Sequence, residues 1–249
     1  MEETANSDRL EDVKRTRTGM ILLASGIGAQ ILGIFLMVPP IDLLGLLVTL
    51  AGYASMAVGI VFIYRGRGGF PGKHQKLTTL SLFLLIIALA ILLRIKLINS
   101  GLTFVDPMDW NYKDRVPGSD LSGDIANIRV YYWVTILPTI LGAAALSMLL
   151  WHISSGKGRI VLVIYLAMAL MAPVGEAALM NVTNRELEKE IDDNRIYGEE
   201  EIDELRDDLK LKQYPVGIMG LAHLLLILLA SILSLHHIKE KEKEAYIGI

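Results

Sequence analysis

The stretch Gly19–Tyr64 decides the fold. It reads GMILLASGIGAQILGIFLMV over Gly19–Val38, then Pro39–Pro40, then IDLLGLLVTLAGYASMAVGIVFIY over Ile41–Tyr64, with Asp42 its only charged residue. A bilayer core about 30 Å thick needs about 20 apolar residues in a helix, and both runs are long enough. Lipid offers no water to unpaired backbone groups, so a spanning segment is a helix or part of a closed barrel. Unbroken Leu, Ile, Val and Ala lacks the alternation of a barrel strand. Both runs are expected to be helices, and the short Pro39–Pro40 connection makes them antiparallel neighbours.

The same stretch suggests how the two helices meet. Gly19, Gly26 and Gly33 recur at seven-residue intervals, as do Gly45, Gly52 and Gly59. A heptad keeps one face in register through a left-handed crossing, and small residues let backbones approach closely in lipid. Thr49 and Ser55 widen the second stripe, and Thr135, Thr139, Ala143 and Ser147 form another one farther along. These stripes are expected to pack helices tightly or to form an oligomer interface.

Four more apolar runs follow: Leu77–Leu97, Val130–Ile153, Arg159–Asn181 and Tyr214–His236. The expected fold is an all-α polytopic membrane protein with six transmembrane helices and one transmembrane domain over 19–236. Residues 1–18 and 237–249 are read as cytoplasmic tails. Outer loops are expected at 98–129 and 182–213. Orientation follows from Lys and Arg near helix ends. Arg9, Lys14, Arg15 and Arg17 precede the first run; Arg65, Arg67, Lys73 and Lys76 lie between the second and third. Lys157 and Arg159 separate the fourth and fifth, and Lys239, Lys241 and Lys243 follow the sixth. An even number of spans puts these segments on one face, giving an N-in/C-in chain, with the cell membrane of a prokaryote as its expected location.

Composition narrows the class further. Hydrophobic residues make up 53% and charged residues 20% of the chain, with a formal net charge of −3 and no cysteine. That pattern argues against a soluble enzyme, a disulfide scaffold, a zinc-thiolate site and a nucleic-acid binder. The first eighteen residues are charged and mixed in sign, and no small-residue cleavage site follows the first run, so that run is read as a retained helix.

The outer loops differ in character. Ile98–Arg129 carries Asp106, Asp109, Asp114, Asp120 and Asp124 with Pro107 and Pro117, and is expected to be irregular. Asn184–Asp193 and Glu199–Leu211 are strong helix formers around Tyr197–Gly198, which suggests an outward helical hairpin, continuous with the fifth span. Asn181-Val-Thr183 matches a glycosylation sequon but sits at the membrane edge.

Ionisable groups inside a membrane are costly and point to function. Glu176 lies in Ala172-Pro173-Val174-Gly175-Glu176, about five residues or roughly 7.5 Å from the outer end of its helix. His223 lies about nine residues, or roughly 13.5 Å, below the outer end of the next. Their similar depth suggests a shared intramembrane polar site, with Arg94, Asp42 and Gln30 as further candidates. Arg94 is the expected cationic neighbour, and a structural Glu176–Arg94 pair is the plainer alternative. No H-E-x-x-H, Walker or dinucleotide motif is present. Ser25 and His223 lie at different depths, which opposes a nucleophile–base pair. A haem held by His152 with His236 or His237 is weighed and set aside. No catalytic residue, metal or cofactor is therefore expected. Two functions remain. The first is a structural or accessory subunit that contacts lipids and other membrane subunits, or a second copy of itself. The alternative is a proton-coupled carrier or channel using Glu176 and His223.

Overall fold

The computed structural model describes residues 2–36, 41–70, 72–99, 121–192 and 199–247. The described residues form six α-helices: α1 Glu2–Leu36, α2 Asp42–Arg65, α3 Gly72–Asn99, α4 Leu121–Trp151, α5 Gly156–Asp192 and α6 Glu199–Ile247. A single 3-10 turn, Gly66–Gly69, follows α2, and no strand occurs among the described residues. Among the described residues, five segments are long and apolar enough to cross a membrane: Ser7–Leu36, Leu43–Gly69, Gly72–Ile91, Gly156–Gly175 and Ile218–Lys243. The fourth apolar run lies within α4, where Ile136–Trp151 is apolar among the described residues.

Several boundaries correct the sequence reading. The charged segment before Gly19 is helical from Glu2 and continuous with the first apolar run. In the first outer loop, residues 121–129 belong to α4, so the irregular segment expected over Ile98–Arg129 is overturned there; the helix of the apolar run extends back through them at little further cost. Residues 100–120, with Asp106, Asp109, Asp114 and Asp120, lie outside the described residues, as does the Pro39–Pro40 connection. In the second loop, α5 runs to Asp192 and α6 begins at Glu199, so both helix-forming stretches extend the apolar helices beside them. At 49 residues, α6 would be about 74 Å long, far beyond what a bilayer core requires.

The α1–α2 seam rests on its glycines. A Cβ placed on Gly26 would lie 2.6 Å from the carbonyl oxygen of Gly52, and one on Gly52 2.7 Å from that of Gly26. The same mutual approach joins Gly19 to Gly59, and Gly33 meets Gly45 and Thr49. One helix rises as the other falls, so the antiparallel partners change by one heptad at each step. Gly66, seven residues beyond Gly59, continues the register against Asp12 and Thr16 of α1. Its backbone N–H also caps α2 by donating to Phe62 and Tyr64. Ser55 Oγ donates to the Leu22 carbonyl at 2.8 Å across the seam.

The chain divides into two compact units. The first comprises Met1–Ile86, Gly142–Ala167 and Leu221–Ile249, and the second Ile87–Leu141 and Met168–Gly220. Within the first, Met20, Leu23, Ile27, Ile63, Leu149, Leu150, Ile153 and Leu162 are fully buried. Burial of that kind contributes through dispersion and close fit rather than through expulsion of water, because lipid is as apolar as leucine. Within the second unit, α5 and α6 approach at Gly175, whose Cβ would lie 3.8 Å from Met219 Cε.

Candidate intramembrane polar site

The expected polar residues do not all fall in one place. Gln30 is buried in the α1–α2 seam, where its Nε2 donates to Met56 Sδ at 2.7 Å. The room for its stem comes from Gly52, whose Cβ would stand 3.1 Å from Gln30 Cγ. A thioether is a weak acceptor, but it suffices to give a buried amide a partner. Arg94 is exposed on α3 within the second unit. Glu176 lies in α5 of the second unit and His223 in α6 of the first. The side chains of Glu176 and Asp42 lie outside the described residues.

The neighbour of His223 is aromatic. Its ring stacks on Tyr165 of α5, with centroids 4.2 Å apart and planes 13° from parallel. Tyr165 is almost fully buried, and His223 Nε2 is buried without a hydrogen-bond partner. A buried, unpaired ring nitrogen costs free energy, so a hydrogen-bonding partner at His223 Nε2 would be favourable. Farther along, the seam between the α4–α5 link and α6 is closed by hydroxyls. Ser154 Oγ and Ser234 Oγ are 2.6 Å apart, and each also lies within hydrogen-bond distance of a carbonyl one turn back, Leu150 and Ala230. Ser231 bonds Ile227 in the same way, and Ser81 of α3 donates to the Ala145 carbonyl of α4 at 2.6 Å.

A second histidine site escaped the sequence reading. His74, at the start of α3, is fully buried between Phe70, 4.9 Å away by ring centroid, and His152, 6.1 Å away. Thr78 Oγ1 gives its one proton to the His74 carbonyl at 2.9 Å, so the 3.2 Å contact with His74 Nε2 has the ring as donor. Nδ1 is then a bare acceptor without a partner. The signal was present in the four-residue spacing of His74 and Thr78, which puts both on one helix face. No group of three His, Asp or Glu side chains converges as metal ligands among the described residues.

The class these observations define is an all-helical chain with several helices of membrane-spanning length and polarity, with a small set of buried polar side chains among the described residues. Compared with protein-family models, with curated proteins and with solved structures, the chain matches none of them.

Proposed function

We propose that this protein is a structural or accessory subunit of a membrane assembly, crossing the bilayer six times with both termini in the cytoplasm. The observation that carries the reading is how the polar side chains of the seams are engaged. Gln30, Ser55, Ser81, Ser154 and Ser234 bond a backbone or side-chain group across a helix seam. Such ties hold helices together and leave little chemistry for a transport path. The outward face of α2 supports the same role: Leu43, Leu46, Leu47, Leu50, Tyr53, Val58 and Val61 are all exposed beside the buried glycine edge. That face is suited to lipid and to the helices of other subunits.

A second reading, a proton-coupled carrier or small channel, is favoured by one observation, the unpaired His223 nitrogen against Tyr165. It would need Glu176 as the partner in proton exchange. Purification in mild detergent separates the two. A subunit should elute with a second membrane protein in fixed ratio, and His223→Phe, which keeps the stacking, should leave that complex intact. A protein that elutes alone, and whose proteoliposomes show proton-driven uptake abolished by His223→Phe, would reverse the order.

A further inference from the structure

Arg67 and Lys76 flank an open groove of about 610 Å³ at the start of α3, completed by Gln75, Thr79, Leu80 and Phe83. None of the six is acidic. The groove grades from charged to apolar along the helix: Lys76, Thr79, Leu80 and Phe83 fall at i, i+3, i+4 and i+7, on one face. From Lys76 to Phe83 the helix advances about 10 Å. Leu80 is 45% exposed and Phe83 60%, so the apolar end is uncovered. At the polar end the Arg67 guanidinium is held in place. It lies over the Tyr64 ring, 3.8 Å from the centroid, and its Nη1 donates to the Tyr64 carbonyl at 2.8 Å. A guanidinium has five N–H donors in a planar fork that matches phosphate oxygens, so one backbone bond leaves most of the fork for a ligand. Gln75 and Thr79 add neutral polar groups beside it, although Thr79 Oγ1 already donates to the Gln75 carbonyl at 3.0 Å.

We infer that this groove binds one anionic glycerophospholipid from the leaflet in which α3 begins. The phosphate sits between Arg67 and Lys76, and an acyl chain runs down Leu80 and Phe83. The ligand must be both anionic and apolar, because two cations and two exposed hydrophobes line one continuous surface. A soluble phosphate would leave the apolar end empty, and a zwitterionic lipid would bring its own cation to a cationic pair. The inference requires only that α3 enters the membrane; it stands whether the protein is a subunit or a carrier.

The test uses the full chain in neutral detergent, with native mass spectrometry after adding phosphatidylglycerol or phosphatidylcholine of identical chains. Phosphatidylglycerol should be retained preferentially. Lys76 is exposed, so Lys76→Gln leaves the fold monodisperse and should weaken phosphatidylglycerol binding about fivefold, as expected for one surface cation. Phosphatidylcholine retention should not change. Lys157→Gln, an exposed cation outside the groove, should preserve the preference, and excess glycerol phosphate should not displace the lipid. Equal retention of the two lipids would overturn the inference. So would an unaltered preference in Lys76→Gln, an equal loss in Lys157→Gln, or displacement by glycerol phosphate.

Discussion

Gly26 and Gly28 stand two residues apart on α1 and meet different surroundings. A Cβ on Gly26 would press on backbone atoms of Gly52 and Met56, at 2.6 and 2.8 Å, whereas one on Gly28 would find nothing within 4 Å. Backbone cannot rotate aside, so Gly26→Ala must separate the helices, at roughly 1–3 kcal/mol. Gly28→Ala keeps the seam and gains helix propensity, about 1 kcal/mol. Thermal unfolding in detergent should therefore move down for Gly26→Ala and stay level or rise for Gly28→Ala. Equal midpoints would mean that the seam is looser than its geometry. At this scale the sequence was partly legible. A glycine repeat shows its period without any structure, yet Gly66 continues that period beyond the apolar run that ends at Tyr64, between Arg65 and Arg67. His223 stood out as an ionisable group in an apolar run. Its stacking partner Tyr165 did not, because contacts across fifty-odd residues depend on helix register that spacing alone does not supply.

Among the elements, α4, α5 and α6 are tied by a hydroxyl pair rather than by apolar fit alone. The 2.6 Å contact between Ser154 and Ser234 joins the α4–α5 link to α6, and both residues are buried. Each hydroxyl has one proton and two acceptor positions. One hydroxyl can therefore donate across the seam only by releasing its own carbonyl, and the other keeps its backbone bond. Removing either partner leaves the remaining bond to the helix in place, so single alanine substitutions should cost about 0.5–1.5 kcal/mol. The double variant should cost less than the sum, with a coupling of about 0.5 kcal/mol or more in a double-mutant cycle of unfolding free energies. Strict additivity would show that the two hydroxyls do not interact. The elements themselves were the most legible part of the chain, because apolar runs of this length admit one regular structure in lipid. Helix ends were less so. The charged residues before Gly19 read as a tail by polarity, but a helix already nucleated by an apolar run extends at little further cost into good helix formers.

Across the whole molecule, three contacts inside the first unit bear on how the chain threads the bilayer. The His74–His152 ring contact sets the link before α3 beside the link after α4. The Ser154–Ser234 bond sets that second link beside the last part of α6. The Arg17–Glu242 ion pair, at 3.0 Å, sets the end of α6 beside the early part of α1. These are the four segments where Lys and Arg gather, so proximity and the positive-inside rule point to one face for all of them. Five crossings would put the termini on opposite faces, which the Arg17–Glu242 pair opposes; an even number agrees with it. That argument supports α4 as a sixth crossing, and its run Val130–Ile153, which holds no Asp, Glu, Lys or Arg, is long enough to span. The absence of native cysteine makes the threading directly measurable. A membrane-impermeant maleimide added to intact cells should label Asp114→Cys and should reach Lys157→Cys only after permeabilisation. Lys157 is exposed, so protection in intact cells would reflect the membrane rather than burial. If Lys157→Cys is labelled from outside while Asp114→Cys is not, the chain runs in the opposite sense. If both are labelled from outside, α4 does not cross, and the six-span threading fails with it.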